Sequence, residues 1–113
     1  MATVEECRKA LEELSAKMGR AEGETRKATQ LDRSLSCRVT DLDVTFSGRL
    51  RDGALHDIDT EPRTDKAQIR LSLTGDDLIA LVAGELNFGA AWAKGRVKLD
   101  ASFKDLLVLR KLL

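Results

Sequence analysis

Residues 67–113 read AQIRLSLTGDDLIALVAGELNFGAAWAKGRVKLDASFKDLLVLRKLL. Apolar and polar side chains alternate in residues 67–74 and again in residues 97–101, a period of two that predicts a strand at each place. Between the two strands, Thr74 precedes Asp77 at the spacing of a capping box, so a helix is predicted to begin there. This stretch therefore predicts two strands of one sheet joined by a helical crossover.

A leucine-rich helix is predicted from Phe103 to Leu113, with Ser102 and Asp105 at capping spacing at its start. Most of its residues are apolar, and they wrap more than one face of the helix. A helix of this kind must be covered on two sides or exposed at an interface. Three roles are open for it: an ordinary core helix, a dimer interface, or the wall of a lipid cavity.

The residues before this stretch predict a helix and then strands. Apolar residues recur every three or four positions from Thr3 to Met18, which is typical of an amphipathic helix. From residue 34 the period changes to two, and its parity flips after Thr40-Asp41, which predicts a turn at that pair. Asp52-Gly53 is a strong hairpin signal. The early strands are therefore expected to be antiparallel and linked by hairpins.

The chain of 113 residues is predicted to form one α+β domain. Residues 1–33 form a helical N-terminal segment, residues 34–74 form four strands, and residues 75–113 supply helices, a fifth strand and the leucine-rich last helix. The predicted architecture is a five-stranded, mainly antiparallel sheet covered on one face by helices. A chain of this length buries roughly two thirds of its unfolded surface, which is enough for a core without disulfides.

Charge and aromatic content exclude several classes of partner. The 19 basic and 19 acidic residues balance, so a generally cationic nucleic-acid-binding surface is not expected. Aromatic residues make up 4% of the chain and include no tyrosine, so a base-stacking platform is not expected either. Apolar runs are too short to span a membrane, and the acidic first residues do not form a secretion signal. We therefore expect a cytoplasmic protein, with Cys7 and Cys37 as buried, reduced thiols.

The sequence offers little that could carry catalysis. His56 is the single histidine, and strand alternation is expected to place it with Ile58 on one face, and Asp57 with Asp59 on the other. A metal site would need His56 and a carboxylate to converge. The serines lack a nucleophile elbow, and the glycines lack a phosphate-binding pattern. The sequence therefore predicts no catalytic residue, no metal, no cofactor and no enzymatic activity.

Basic residues outnumber acidic ones between residues 94 and 111. Lys94, Arg96 or Lys104 is expected at the mouth of a binding site, where a cation would meet a carboxylate or a phosphate. The same charge leaves open a transient contact with an anionic membrane surface. A solvated strand edge and helix face is the simpler interpretation.

Four segments in order carry a family resemblance: Asp76-Asp77-Leu78, Leu81–Leu86, Ala91–Lys98 and Leu109–Leu113. Together they resemble the C-terminal half of the sterol carrier protein type 2 (SCP2) family, especially its stand-alone actinobacterial members. The resemblance implies a five-stranded sheet covered on one face by helices, with an apolar tunnel between the layers. It also implies a bacterial protein whose ligand is a sterol, a fatty acid or an acyl-CoA.

The resemblance assigns the tunnel wall to apolar residues of the later helices and strands. The implied lipid-binding residues are Ile69, Leu71, Leu73, Leu78, Leu81, Val82, Leu86, Phe88, Trp92, Val97, Leu99, Phe103, Leu106, Leu107 and Leu109. Leaving a lipid pocket of roughly 400 Å3 empty would cost about 10 kcal/mol. The ligand-free protein is therefore expected to be collapsed, wet at the mouth, or filled with a copurified lipid.

The implied function is a non-catalytic carrier that buries an apolar ligand by the hydrophobic effect. The alternative is a non-catalytic interaction module, in which the last helix pairs with a second copy or with another protein, so a homodimer stays open. A third interpretation is an enzyme or biosynthetic accessory that uses the cavity as a reaction chamber. For that interpretation, His56 and Asp59 are the residues to test.

Overall fold

The computed structural model describes residues 2–19 and 32–109. Within these residues the chain runs helix, four strands, two helices, strand and helix, in the predicted order. The elements are α1 (Val4–Gly19), β1 (Arg33–Val39), β2 (Val44–Arg51), β3 (Ala54–Asp59), β4 (Ile69–Leu73), α2 (Gly75–Val82), α3 (Phe88–Ala93), β5 (Lys98–Asp100) and α4 (Phe103–Leu109). No helix in the two described ranges is long and apolar enough to cross a membrane. The helical character predicted for residues 20–31, and residues 110–113 of the predicted last helix, lie outside these ranges.

The five strands form one sheet in the order β3-β2-β1-β4-β5. Antiparallel pairing joins β1 to β2, β2 to β3 and β4 to β5, which confirms a mainly antiparallel sheet. The expectation of antiparallel, hairpin-linked early strands is wrong for β4, which pairs parallel to β1 with Leu71 opposite Cys37. A parallel pair cannot be joined by a tight turn. The β2–β3 hairpin and residues 60–68 together form the crossover that this pair requires.

Local hydrogen bonds explain where the helices begin. At the start of α1, the Thr3 hydroxyl accepts a hydrogen bond from the Glu6 N–H at 3.1 Å, and the Glu6 carboxylate accepts one from the Thr3 N–H at 3.1 Å. This reciprocal pair is a capping box. Thr74 Oγ1 accepts from the Asp77 N–H at 3.2 Å, which confirms the cap predicted for α2.

The core lies between the helices and one face of the sheet. Strand residues that face the helices alternate with polar residues on the opposite face, and Cys37 and Val39 of β1 are almost completely buried. Helix α1 is held over the sheet by polar contacts as well, since the Ser15 hydroxyl both accepts from the Leu55 N–H and donates to its carbonyl. The main cluster of buried apolar residues is Ala2, Cys7, Ala10, Leu11, Cys37, Val39, Phe46, Leu73, Leu78, Val82, Phe88, Ala91 and Val97.

Strand β3 contains a bulge that changes which of its side chains share a face. The register of β3 against β2 shifts next to Gly48, and Asp57 adopts a φ of 55°, so alternation is broken there. As a result Ile58 packs against the core, whereas His56 and Asp59 occupy the outward-facing register positions. The prediction that His56 lies with Ile58, and Asp57 with Asp59, is therefore wrong.

The two thiols are free and buried, as predicted. Burial raises the pKa of the Cys37 thiol to about 12, and the nearby Cys7 adds to the shift. Burial also raises the pKa of Cys7, with the carboxylates of Asp41, Glu6 and Asp76 contributing in the same direction. Both groups are therefore neutral and weakly nucleophilic in the folded protein near neutral pH.

The raised pKa of Cys37 predicts a loss of stability at alkaline pH. Below an ordinary thiol pKa of 9.0 the group is protonated in both the folded and the unfolded chain. Above that pH the unfolded chain releases the proton first. The free energy of unfolding therefore falls by up to about 1.4 kcal/mol per pH unit until the pH reaches the pKa of the folded chain. Urea unfolding between about pH 8 and about pH 10.5 should show a steeper decline for the wild type than for Cys37→Ala. Equal slopes would contradict a buried, protonated thiol.

Gly75, the first residue of α2, is predicted to tolerate no side chain. A Cβ at this position would lie 2.9 Å from the Ala2 Cβ and 3.1 Å from the Cys7 Sγ. Gly75→Ala should therefore lower the free energy of unfolding by about 1–3 kcal/mol. The control is Gly89→Ala in α3, where the nearest atom is Asn87 Oδ1 at 3.5 Å. That change should be neutral or stabilise by up to about 1 kcal/mol, as measured by urea unfolding, and a neutral Gly75→Ala would contradict the packing described here.

Candidate functional site

An apolar concavity of about 520 Å3 opens to solvent where α3, α4 and β5 meet. Helices α3 and α4 supply most of its wall, and β5 supplies one residue. Its volume lies within the roughly 300–1,000 Å3 that is usual for small-molecule sites. The lining residues are Asn87, Phe88, Gly89, Trp92, Leu99, Phe103, Leu106 and Leu107.

Helix α3 is placed by a cap at each end. Asn87 is the N-cap, and its Oδ1 accepts from the Ala90 N–H at 2.9 Å, while Gly95 adopts a φ of 77° just beyond the C-terminus. The helix buries Phe88 and leaves the Trp92 side chain 45% exposed. The two rings contact in a tilted arrangement with centroids 6.1 Å apart. The caps therefore hold an aromatic pair against the concavity, one ring in the core and one at the surface.

Helix α4 turns its apolar side towards the concavity. Phe103, Leu106 and Leu107 lie on one face, since residues three and four positions apart are neighbours on a helix. Phe103 is 78% exposed and Leu107 is 48% exposed. Asp105, on the opposite side, is buried, and its Oδ2 accepts from Arg33 Nε at 3.0 Å. The helix thus presents apolar surface to solvent while it buries a carboxylate.

The wall of the concavity, as far as its residues are described, is almost entirely apolar. Asn87 is the one polar side chain among the lining residues, and its Oδ1 is already used by the helix cap. None of the lining side chains carries a charge. Such a surface can exclude water from an apolar ligand, but it offers no acid, base or nucleophile to a reacting group.

Six of the residues that the family resemblance assigned to a lipid tunnel lie together at the concavity: Phe88, Trp92, Leu99, Phe103, Leu106 and Leu107. The structure places others in the buried core, namely Ile69, Leu73, Leu78, Val82 and Val97. Three more, Leu71, Leu81 and Leu86, are half-buried and pack against that core. The side chain of Leu109 lies outside the described part of the chain. The sequence signal separates apolar from polar positions, and it does not separate the core from the wall of an open site.

Two lining residues, Asn87 and Gly89, were missed as part of the site. Asparagine favours helix N-caps, and the Asn87 side chain caps α3 while it also lines the concavity. Neither residue is a large apolar residue, so an assignment of the wall to apolar positions passes over both.

The basic residues expected at the mouth do not line the concavity. The Arg96 guanidinium pairs with the Asp77 carboxylate, and its Nη2 lies 2.6 Å from Oδ1. This ion pair links the segment after α3 to α2. Lys94 and Lys104 are exposed at the surface and are not among the lining residues. None of these three basic residues is therefore among the side chains that line the concavity.

His56 has a structural partner on its own hairpin. Its Nε2 lies 2.9 Å from the Arg51 carbonyl oxygen. Within residues 2–19 and 32–109, no cluster of three or more histidine, cysteine or acidic side chains could hold a metal ion. The outward-facing His56 is thus separated from the apolar concavity by the sheet.

The fold and the concavity define an SCP2-like domain. Residues 22–113 match the family described as alkyl sulfatase C-terminal, and because this match spans most of the chain, the chain belongs to that family. A solved relative is the stereoselective inverting sec-alkylsulfatase Pisa1 from Pseudomonas sp., at 31% identity and a TM-score of 0.60. The match covers 78% of this chain and 14% of that one, so the chain spans about one seventh of the alkylsulfatase. No curated protein matches the chain.

Sterol carrier structures confirm the fold that the sequence resemblance implied. The sterol carrier protein domain 2 of Helicoverpa armigera is 15% identical with a TM-score of 0.75, covering 98% of this chain and 89% of that one. Palmitated SCP2L2 from Aedes aegypti is 13% identical with a TM-score of 0.63, covering 98% and 94%. At these identities the likeness establishes the architecture and not the ligand.

The Asn87 cap is predicted to control the order of the rim. Asn87→Ala removes the acceptor for the Ala90 N–H and should lower the free energy of unfolding by about 1 kcal/mol. Asn87→Ser keeps a cap acceptor and is the matched control. Hydrogen exchange of the Ala90 amide should accelerate in Asn87→Ala and stay close to the wild-type rate in Asn87→Ser. Unchanged exchange in both variants would show that α3 is held without its cap.

Proposed function

We propose that this domain is a non-catalytic binding module for an alkyl chain, which it holds in the concavity between α3 and α4. The observation that carries the proposal is the exposure of Phe103 and Leu107 on the wall of a roughly 520 Å3 concavity. Large apolar side chains facing water in a contiguous surface usually mark a binding site. A ligand that covers them gains the free energy of removing that surface from water.

The uncharged wall favours an amphiphile that enters tail first. An ionised head group would lose its hydration in a wall without compensating charges, so it stays at the mouth in water. The ligand classes that fit are fatty acids, fatty acyl thioesters and alkyl sulfates. The palmitated Aedes aegypti protein and the alkylsulfatase relative support two of these classes. A sterol is a bulkier, rigid member of the same apolar class.

A role in a larger alkylsulfatase follows from the same chemistry. In such a protein we propose that this domain supplies affinity for the alkyl tail of the substrate, while another part of the protein cleaves the sulfate ester. As a separate carrier, the same domain would withdraw a single-chain lipid from a membrane or micelle. Both roles need the same tail-binding surface, and both leave the bond-breaking step outside this chain.

An interaction module is the second candidate. The exposed apolar side of α4 could pair with a second copy or with another protein instead of a lipid. Its distinguishing property is a mass that depends on protein concentration. Analytical ultracentrifugation with and without a fatty acid distinguishes the two functions. A ligand that fills the concavity should cause a dimer formed through the same surface to dissociate.

The affinity of the domain is predicted to depend on tail length. Trp92 is the single tryptophan and lines the concavity, so its emission reports occupancy. Saturated fatty acids and primary alkyl sulfates of increasing length, kept below their critical micelle concentrations, should bind up to about fourfold more tightly for each methylene added. That factor corresponds to about 0.8 kcal/mol per buried methylene. The gain should stop when the concavity is full, and the two head groups should give similar dissociation constants at equal tail length.

The contribution of the wall to binding is tested by changing one exposed apolar residue in the wall and one outside it. Phe103→Ser removes a ring from the wall and should weaken palmitate binding by about tenfold or more. Val4→Ser removes an exposed apolar side chain from α1, away from the concavity, and should leave binding unchanged. The proposed function is refuted if Trp92 emission shows no saturable response to any tail, or if affinity is independent of tail length.

A further inference from the structure

Helix α4 departs at individual positions from the usual pattern of an amphipathic helix. Such a helix ordinarily buries its apolar stripe and exposes its charges. Here Asp105 is 4% exposed, whereas Phe103, two residues earlier and about 200° around the helix, is 78% exposed. Among the side chains of α4 whose burial is described, a rotation that buried Phe103 and exposed Asp105 would cover apolar surface and hydrate the carboxylate. Asp105 therefore needs a specific partner in its buried position.

The interaction that opposes this rotation is the Arg33–Asp105 ion pair. Arg33 begins β1, and its Nε donates to Asp105 Oδ2 at 3.0 Å. Among the residues for which burial is described, Asp105 is the one buried charged residue. A buried carboxylate that loses its partner is strongly unfavourable, and so is its rotation into an apolar surface. The pair therefore favours the orientation in which Asp105 faces the start of β1.

The orientation of α4 also sets the shape of the concavity. Phe103, Leu106 and Leu107 are three of the eight lining residues. A rotation that buried Phe103 and Leu107 would bring their side chains into the space that a ligand would occupy. The start of the helix is constrained as well, because Ser102 Oγ accepts from the Asp105 N–H at 3.2 Å. Asp105 thus takes part in both the helix cap and the ion pair, and it lies on the side of α4 opposite the concavity.

We propose that Arg33 and Asp105 are positioning residues that hold α4 with its apolar side towards an open concavity. Without the pair, α4 rotates, Phe103 and Leu107 cover the concavity, and only a minority of molecules can accept a ligand. The effect on affinity rests on the proposed alkyl-chain binding. The effect on the orientation of α4 does not, since it exists in the ligand-free protein.

The size of the effect follows from the fraction of open molecules. An apparent dissociation constant equals the intrinsic constant divided by the fraction of protein in the competent state. If the pair is lost and about a tenth of the molecules stay open, palmitate binding weakens by about tenfold. If the pair only stabilised the folded state, its loss would lower the unfolding midpoint and leave the affinity of the folded molecules unchanged.

The experiment uses two variants of the pair, Asp105→Asn and Arg33→Gln, and Arg33→Lys as the conservative variant. Arg33→Gln changes the more exposed partner, whose side chain is 29% exposed, so it remains informative if Asp105→Asn does not fold. The matched control is Asp43→Asn, which breaks the exposed Arg38–Asp43 pair at the end of the same strand. For each protein we would measure the urea midpoint, the Trp92 emission without ligand, and the dissociation constant for palmitate.

Loss of the pair should shift Trp92 emission to shorter wavelength without ligand, because the rotated helix α4 covers the indole ring. Palmitate binding should weaken by about tenfold, Arg33→Lys should keep most of the affinity, and the control should match the wild type in both readouts. Wild-type emission and affinity in the folded variants, whatever their midpoints, would overturn the proposal. If the wild type itself does not bind palmitate, the proposed function fails, and the ligand-free emission still decides the role of the pair.

Discussion

One apolar face of a five-stranded sheet must be kept from water, and the helices cover it unevenly. Beneath α1 and α2 the cover is complete, and Phe46 and Val39 are almost fully buried. Towards β5 the cover is partial, because Leu99 faces a concavity instead of a packed helix. The concavity is therefore a region where the helices leave part of the apolar face of the sheet uncovered, and it is the region in which we propose that a ligand binds.

The sequence predicted the elements well because their signals are local. Capping at Thr74, the turn after Val39 and the hairpin at Asp52-Gly53 depend on residues a few positions apart. The parallel pairing of β4 with β1 and the bulge at Asp57 were not predicted. Which strands pair depends on packing across the whole sheet, and a bulge inserts one residue without changing the amino-acid composition of the strand. Alternation alone therefore placed His56 with Ile58, on the wrong face.

The site was predictable in composition but not in shape. Every aromatic residue of the concavity was assigned to a ligand wall, yet so were Leu78 and Val97, which are core residues. Both groups have the same hydrophobicity and the same periodicity, and only the position of neighbouring elements distinguishes them. The leucine-rich character of α4 showed that something must cover it. It did not show that Asp105 would be buried against Arg33, since an acidic residue in the first turn of a helix is usually interpreted as a capping residue.

The distribution of charge explains what such a site can discriminate. Arg96 is held by Asp77, Arg70 by Asp100 and Arg33 by Asp105, so the nearby guanidinium groups are paired within the protein. A neutral wall distinguishes ligands by the length and width of their apolar part, at about 0.8 kcal/mol for each methylene. It cannot distinguish a sulfate from a carboxylate held outside in water. Under the proposed function, the neutral wall contributes the affinity for the tail, and selectivity for a head group comes from groups outside that wall.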